Sequence, residues 1–139
     1  MDGRGVLFRT LKSGCRVEQR RFERLDRFLP CLAVYLIVTW RTLYVCRLAR
    51  EFPNVGCDLL FEPEEWKSVY QVVRRQSPPP EPPKLSEMVC MIAQLGGYVD
   101  RVRPDPPGPQ TVWLGLQRAH DMALRWLAFG PEAKSAPVV

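Results

Sequence analysis

The chain has 139 residues, 46% hydrophobic and 25% charged, which is the size and composition of one globular domain and excludes a disordered chain, a collagen-like one and a multi-domain enzyme. Its net charge of +5 is a mild basic bias, unevenly spread. Residues 1–50 carry +7, residues 51–100 carry −4 and residues 101–139 carry +2, so a localised anion-binding surface, or an acidic patch docking on a basic one, is implied.

In chain order, a short helix is predicted over Val6 to Lys12, ending at Gly14. A long helix is predicted from about Val17 to Glu51, with Phe22, Leu25, Leu29, Leu32 and Leu36 at three- and four-residue steps. Pro30 falls inside it and predicts a kink or a break, because proline removes a helix hydrogen bond and clashes with the preceding turn. After a loop or short extended piece at residues 54–62, Pro63 opens a helix from Glu64 to Arg75, with Glu64 and Glu65 at its positive end.

Nine of the fourteen prolines sit in two clusters, SPPPEPP at residues 77–83 and PDPPGP at residues 104–109. Both read as extended linkers. Between them one helix is predicted, with Ser86 as N-cap, an apolar stripe of Met88, Met91, Ile92 and Leu95, and Gly96-Gly97 as its end. A last helix runs from about Thr111 to Phe129, stopped by Gly130-Pro131, with a frayed tail at residues 132–139. The expected class is all-α: a short N-terminal helix, a long kinked one and three further helices joined by Pro-rich linkers. Such helices bury little alone, so they fold back on the long helix or need a partner.

The chemistry-bearing residues are sparse. Cys15, Cys31, Cys46, Cys57 and Cys90 contain no CxxC pair and read as free thiols in a reducing cytoplasm. His120 is the single histidine and precedes Asp121, which points elsewhere on a helix, so neither a His-based metal site nor a Ser-His-acid set is predicted. Residues 1–27 are charged throughout, unlike a signal peptide. The longest apolar run, Leu32 to Trp40, is shorter than the ~20 residues that span a bilayer, so no membrane partner is expected.

Two helix faces carry more. Arg16, Arg20, Arg24 and Arg27 lie at steps of four, four and three, preceded by Arg9 and Lys12. One reading is a stripe that tracks nucleic-acid phosphates; the other is a solvated face screened by Glu18, Glu23 and Asp26. On the last helix, Val112, Leu116, Ala119, Ala123 and Trp126 share one face, flanked by Trp113. The small alanines permit close helix approach and the tryptophans supply contact area. That face reads either as core or as a self-associating surface.

Three strings, RTLKSGCRVE (residues 9–18), IAQLGGYVDR (residues 92–101) and TVWLGLQRAHD (residues 111–121), together with VYLIVTWRTLYVCRLAREFP (residues 34–53), resemble the C-terminal region of bacterial cut-and-paste DDE transposases of the Tn-five/IS-four type. The resemblance covers about residues 6–131. It implies a relative of enzymes in which two Asp and one Glu on an RNase-H-like domain bind Mg²⁺ for attack on phosphodiesters, followed by a helical region that helps two copies pair the transposon ends. The family signature is Y-x2-R-x3-E-x6-K. With Lys12 as its lysine, a phosphate-contacting residue in the family, the glutamate position falls on Gly5 and the arginine position on Met1.

The resemblance therefore implies a truncated, catalytically incomplete chain without catalytic or metal-binding residues and without a cofactor of its own. Residues 1–15 would be the remnant of the last catalytic-domain helix, 16–76 a helical region, 77–84 a linker and 85–131 the dimerisation helices. Partners would be itself or an intact transposase, and transposon-end DNA weakly or through that partner. The expected DNA-proximal residues are Lys12, Arg9, Arg16, Arg20, Arg24 and Arg27. The expected dimer interface is Val112, Trp113, Leu116, Ala119, Ala123 and Trp126. The alternative is a small standalone helical protein that binds nucleic acid or inhibits transposition.

Overall fold

The computed structural model describes residues 3–13, 25–99 and 106–131. Among these, the chain forms five α-helices and one short 3-10 turn: α1 (Gly3–Ser13), α2 (Leu25–Glu51), the turn Cys57–Leu59, α3 (Pro63–Arg74), α4 (Leu85–Leu95) and α5 (Pro109–Phe129). No strand appears among the described residues; the nearest thing to one is a single antiparallel bridge between Gly56 and Lys84. The expected all-α class is what is observed.

α2 runs unbroken through Pro30. The proline stands in its second turn, where the bond it removes is near the helix start, and it is exposed. The face that α2 buries differs from the one its first apolar stripe predicts. Leu29 and Leu36 are exposed, Leu32 is half-buried, and the deeply buried positions are Thr39, Thr42, Val45 and Cys46. The two threonine hydroxyls donate back to Tyr35 O (2.7 Å) and Val38 O (2.9 Å), which removes the cost of burying them.

α3 begins with Pro63 after Glu62, whose backbone N–H donates to Glu65 Oε2 (3.2 Å) in a capping box. Arg75 ends it in the left-handed conformation (φ 55°). α4 has a different start from the one expected. Its N-cap is Lys84, and Ser86 lies inside the helix. No side-chain cap is needed, because the first amides are taken by a returning loop: Leu85 N–H donates to Val55 O (2.7 Å) and Ser86 N–H to Pro53 O (3.2 Å), while Cys57 N–H donates to Pro83 O (2.9 Å). The SPPPEPP segment is thus zipped at its far end to residues 53–57 and does not hold the flanking helices apart.

One core draws on all of α2 to α5. Val45 and Cys46 of α2, Cys57 and Phe61, Trp66 and Val69 of α3, six residues of α4 from Leu85 to Ala93, and Val112 and Ala119 of α5 form it. Residues 16–76 and 85–131 therefore contribute to the same core. A smaller cluster joins Leu11 of α1 to Trp113 of α5, with Leu32, Tyr35 and Val38 of α2 around them. Arg41–Glu65 (3.5 Å) links α2 to α3 and Arg74–Glu87 (2.9 Å) links α3 to α4; both are surface pairs worth under ~1 kcal/mol each.

The core thiols give a measurable property. Burial pushes Cys46 up to about 11, partly offset by Arg50, and pushes Cys57 up to about 12 with the Asp58 carboxylate adding to it. A thiol whose pKa is raised by folding contributes stability that is complete below its unfolded value, 9.0, and is lost as pH rises through the folded value. The urea midpoint is expected to hold up to about pH 9 and fall from there towards pH 11–12. At pH 8, a thiol reagent is expected to leave Cys46 and Cys57 unmodified until the chain unfolds, read by peptide mass.

Candidate association surface

α5 is the central helix of the site, and its position follows from its small residues. Thr111, Gly115, Ala119 and Ala123 recur at exact four-residue steps. That row lets the α4 backbone come against the α5 backbone. A Cβ on Gly115 would land on the Ile92 carbonyl, and one on Gly96 would land on the Thr111 carbonyl. Since Ile92 meets Gly115 and Gly96 meets Thr111, the two helices cross antiparallel. The Arg118 guanidinium donates to Leu95 O at the end of α4, closing that helix from the side.

The predicted interface stripe lies on this inner side. Val112, Trp113, Ala119 and Ala123 are buried, and Leu116 and Trp126 are half-buried. In the single chain this stripe packs against the other described helices, and Trp126 also lines a groove at the outer end of α5. The four-residue row that includes Gly115 was the missing signal, since it marks a helix meant for backbone contact rather than for an open surface.

What α5 leaves exposed is its polar side, with Gln117, His120 and Asp121, and an apolar outer end of Leu124, Leu127 and Phe129. Phe129, Trp126 and Val72 of α3 line a groove there. A larger apolar surface is on α2. Val34, Ile37, Trp40 and Tyr44 stand exposed on successive turns, with Leu29 and Leu36 on their flank. Trp40 and Tyr44 stack, ring centroids 5.1 Å apart and planes within 10°. This helix is apolar on both sides, and a helix of that kind is normally covered all round. Taken as a helix, residues Asp26–Glu51 are long and apolar enough to cross a membrane, the most apolar 18-residue stretch having a mean hydropathy of 1.6, a length the run Leu32 to Trp40 understates.

Of the expected DNA-proximal residues, Arg9, Lys12 and Arg27 are exposed, the first two on α1 and the third near the start of α2. Arg16, Arg20 and Arg24 lie outside the described residues. Gly5, at the position where the resemblance expects a glutamate, is exposed, and a Cβ there would meet nothing. No group of three or more His, Cys, Asp or Glu residues placed to hold a metal ion occurs among the described residues.

Comparison with family models matches residues 37–124, more than half of the chain, to the Transposase Tn5 dimerisation domain. The matched stretch runs from the second half of α2 into the last turns of α5 and takes in the whole shared core. Comparisons with curated proteins and with solved structures gave no match.

Proposed function

The chain belongs to the Tn5 transposase dimerisation domain family, and from that premise we propose that it serves transposition by association rather than by chemistry, pairing with a second copy or with an intact transposase. The observation that carries this reading is the family match itself, which covers the helices of the shared core. The uncovered apolar surfaces on α2 and at the outer end of α5 support it, because exposed patches of this kind mark interaction sites.

The catalytic Asp/Asp/Glu set and its Mg²⁺ belong, on this reading, to the associated enzyme in the cytoplasm. Pairing with an intact transposase would withdraw that enzyme from its own productive pair, so the chain acts as an inhibitor of cut-and-paste transposition. Arg9, Lys12 and Arg27, with Arg16, Arg20 and Arg24, supply weak phosphate contacts next to DNA held mainly by the partner.

Two measurements test this. Sedimentation of the purified chain is expected to show a concentration-dependent dimer, and a chain that stays monomeric and captures no co-expressed transposase of the family overturns the reading. Incubation with transposon-end DNA and Mg²⁺ is expected to leave the DNA intact. Cutting or joining by the purified chain would refute the non-catalytic role.

A further inference from the structure

The open face of α2 is wide. Leu36, Trp40, Ala33, Ile37 and Val34 span roughly 160° of the helix circumference at 3.6 residues per turn. All five are exposed, Ile37 by 66% and Trp40 by 61%. A single partner helix covers a narrower stripe than that. In the most apolar 18-residue stretch of α2 only 17% is buried in the folded chain, which separates this helix from the core helix of a soluble protein. The opposite face is fixed. Thr39, Thr42, Val45 and Cys46 are buried, so α2 stays in the folded body and does not cross a bilayer. Its open face is free to lie flat on one.

The charges suit an anionic surface. Between Asp26 and Glu51 the helix carries Arg27, Arg41, Arg47 and Arg50 and no carboxylate. Arg27, Val34 and Arg41 follow one another at seven-residue steps along one edge of the apolar face, and Arg47 stands on the other edge. Arg41 and Arg47 each have a carboxylate neighbour, Glu65 and Glu51, yet leave 49% and 77% of their side chains exposed. Arg27 and Arg50 make no ion pair among the described residues.

We propose that the exposed face of α2 is a membrane-surface site, which holds the folded chain flat against a bilayer containing anionic phospholipid. Val34 and Ile37 enter the acyl boundary, the stacked Trp40 and Tyr44 sit at headgroup level, and the arginines along the edges reach lipid phosphate. A nucleic acid would use the arginines but has nothing to place on Val34 and Ile37. The length of the run Leu32 to Trp40 argued against a membrane partner; the folded helix supplies a surface for one. This gives the α2 face a use beyond the association role and does not depend on that role.

Flotation of the full chain with vesicles tests the site. The parent is expected to float with phosphatidylglycerol vesicles and to bind phosphatidylcholine vesicles at least tenfold less. Ile37→Glu is expected to lower phosphatidylglycerol binding at least tenfold while its circular dichroism in solution stays that of the parent, since the side chain touches solvent. Arg27→Glu/Arg50→Glu is expected to lower it several-fold, with the difference shrinking at high salt. Phosphatidylglycerol brominated on its acyl chains is expected to quench the tryptophan emission of the parent. Trp40→Phe is expected to float and to lose that quenching, because Trp66 and Trp113 are buried in the folded chain.

Each other outcome overturns the proposal. A parent chain that does not float has no lipid site, and equal flotation with both lipids removes the role of the arginines. Binding that survives Ile37→Glu but is lost with Arg9→Glu/Lys12→Glu is adsorption of α1 by charge alone. Loss of the near-ultraviolet circular dichroism on binding means that the chain unfolds onto lipid and does not lie on it folded.

Discussion

Replacing Gly115 by valine is expected to unfold the chain or reduce it to a loosely packed state, seen as loss of near-ultraviolet circular dichroism and of a cooperative thermal transition. The Cβ of any residue other than glycine there would meet the Ile92 carbonyl and then the Ile92 side chain. Those neighbours cannot give way singly, because Ile92 is fully buried and its carbonyl belongs to the α4 backbone. The helices must separate, and with them Val112 and Ala119 leave the core. Overpacking a tight site costs ~1–3 kcal/mol for a few methylenes and more where backbone must move. Domains of this size hold only ~5–15 kcal/mol in total. Gly115→Ala is expected to be the milder case, folded with a lowered midpoint. Gly97, where a Cβ would meet nothing but φ is +96°, is expected to resist substitution for the different reason of backbone strain.

The second large effect is expected at Trp66. Its side chain is 4% exposed, on the face of α3 that also presents the fully buried Val69 to the shared core. Trp66→Ala is expected to cost ~3–5 kcal/mol, the usual range for emptying a buried aromatic site, read as a fall in the urea midpoint with an unchanged slope. Trp40→Ala is the matched control. The residue type is the same, but the ring lies on the open face of α2, so the midpoint measured at dilution is expected to move by less than ~1 kcal/mol. A comparable loss at both positions would mean that α2 is covered within the single chain.

Much of the fold was legible in the residues. The five helices, their order and their ends at Glu51, Leu95 and Phe129 follow from apolar periodicity and from Gly and Pro placed after them. Less legible was which face meets which. α2 is apolar on both sides, so the row Leu25, Leu29, Leu32, Leu36 and the row Thr39, Thr42, Val45, Cys46 compete on equal terms, and only the packing of α3 to α5 decides between them. The start of α4 escaped for a related reason. Ser86 is a good cap in isolation, but the carbonyls of Pro53 and Val55 arrive from far along the chain and make a cap unnecessary. On α5 the alanines were read correctly as permitting close approach. Gly115, which completes their row, identifies the approaching partner as the chain's own α4.

The Gly56–Lys84 bridge has a further consequence, for the way the chain folds. By clasping residues 53–57 to residues 83–86, it closes α3 into a loop whose ends meet at the entrance to α4. Loop closure of that span adds little entropy cost per further residue, and the α3–α4 contacts inside it are closer in sequence than those of α2 with α5. α3 and α4 can therefore dock early as a hairpin-like nucleus, leaving α5 and the long α2 to condense on a surface that is already formed. Proline in the connecting segment helps this order, since an unfolded linker with fewer accessible conformations loses less when its ends are brought together.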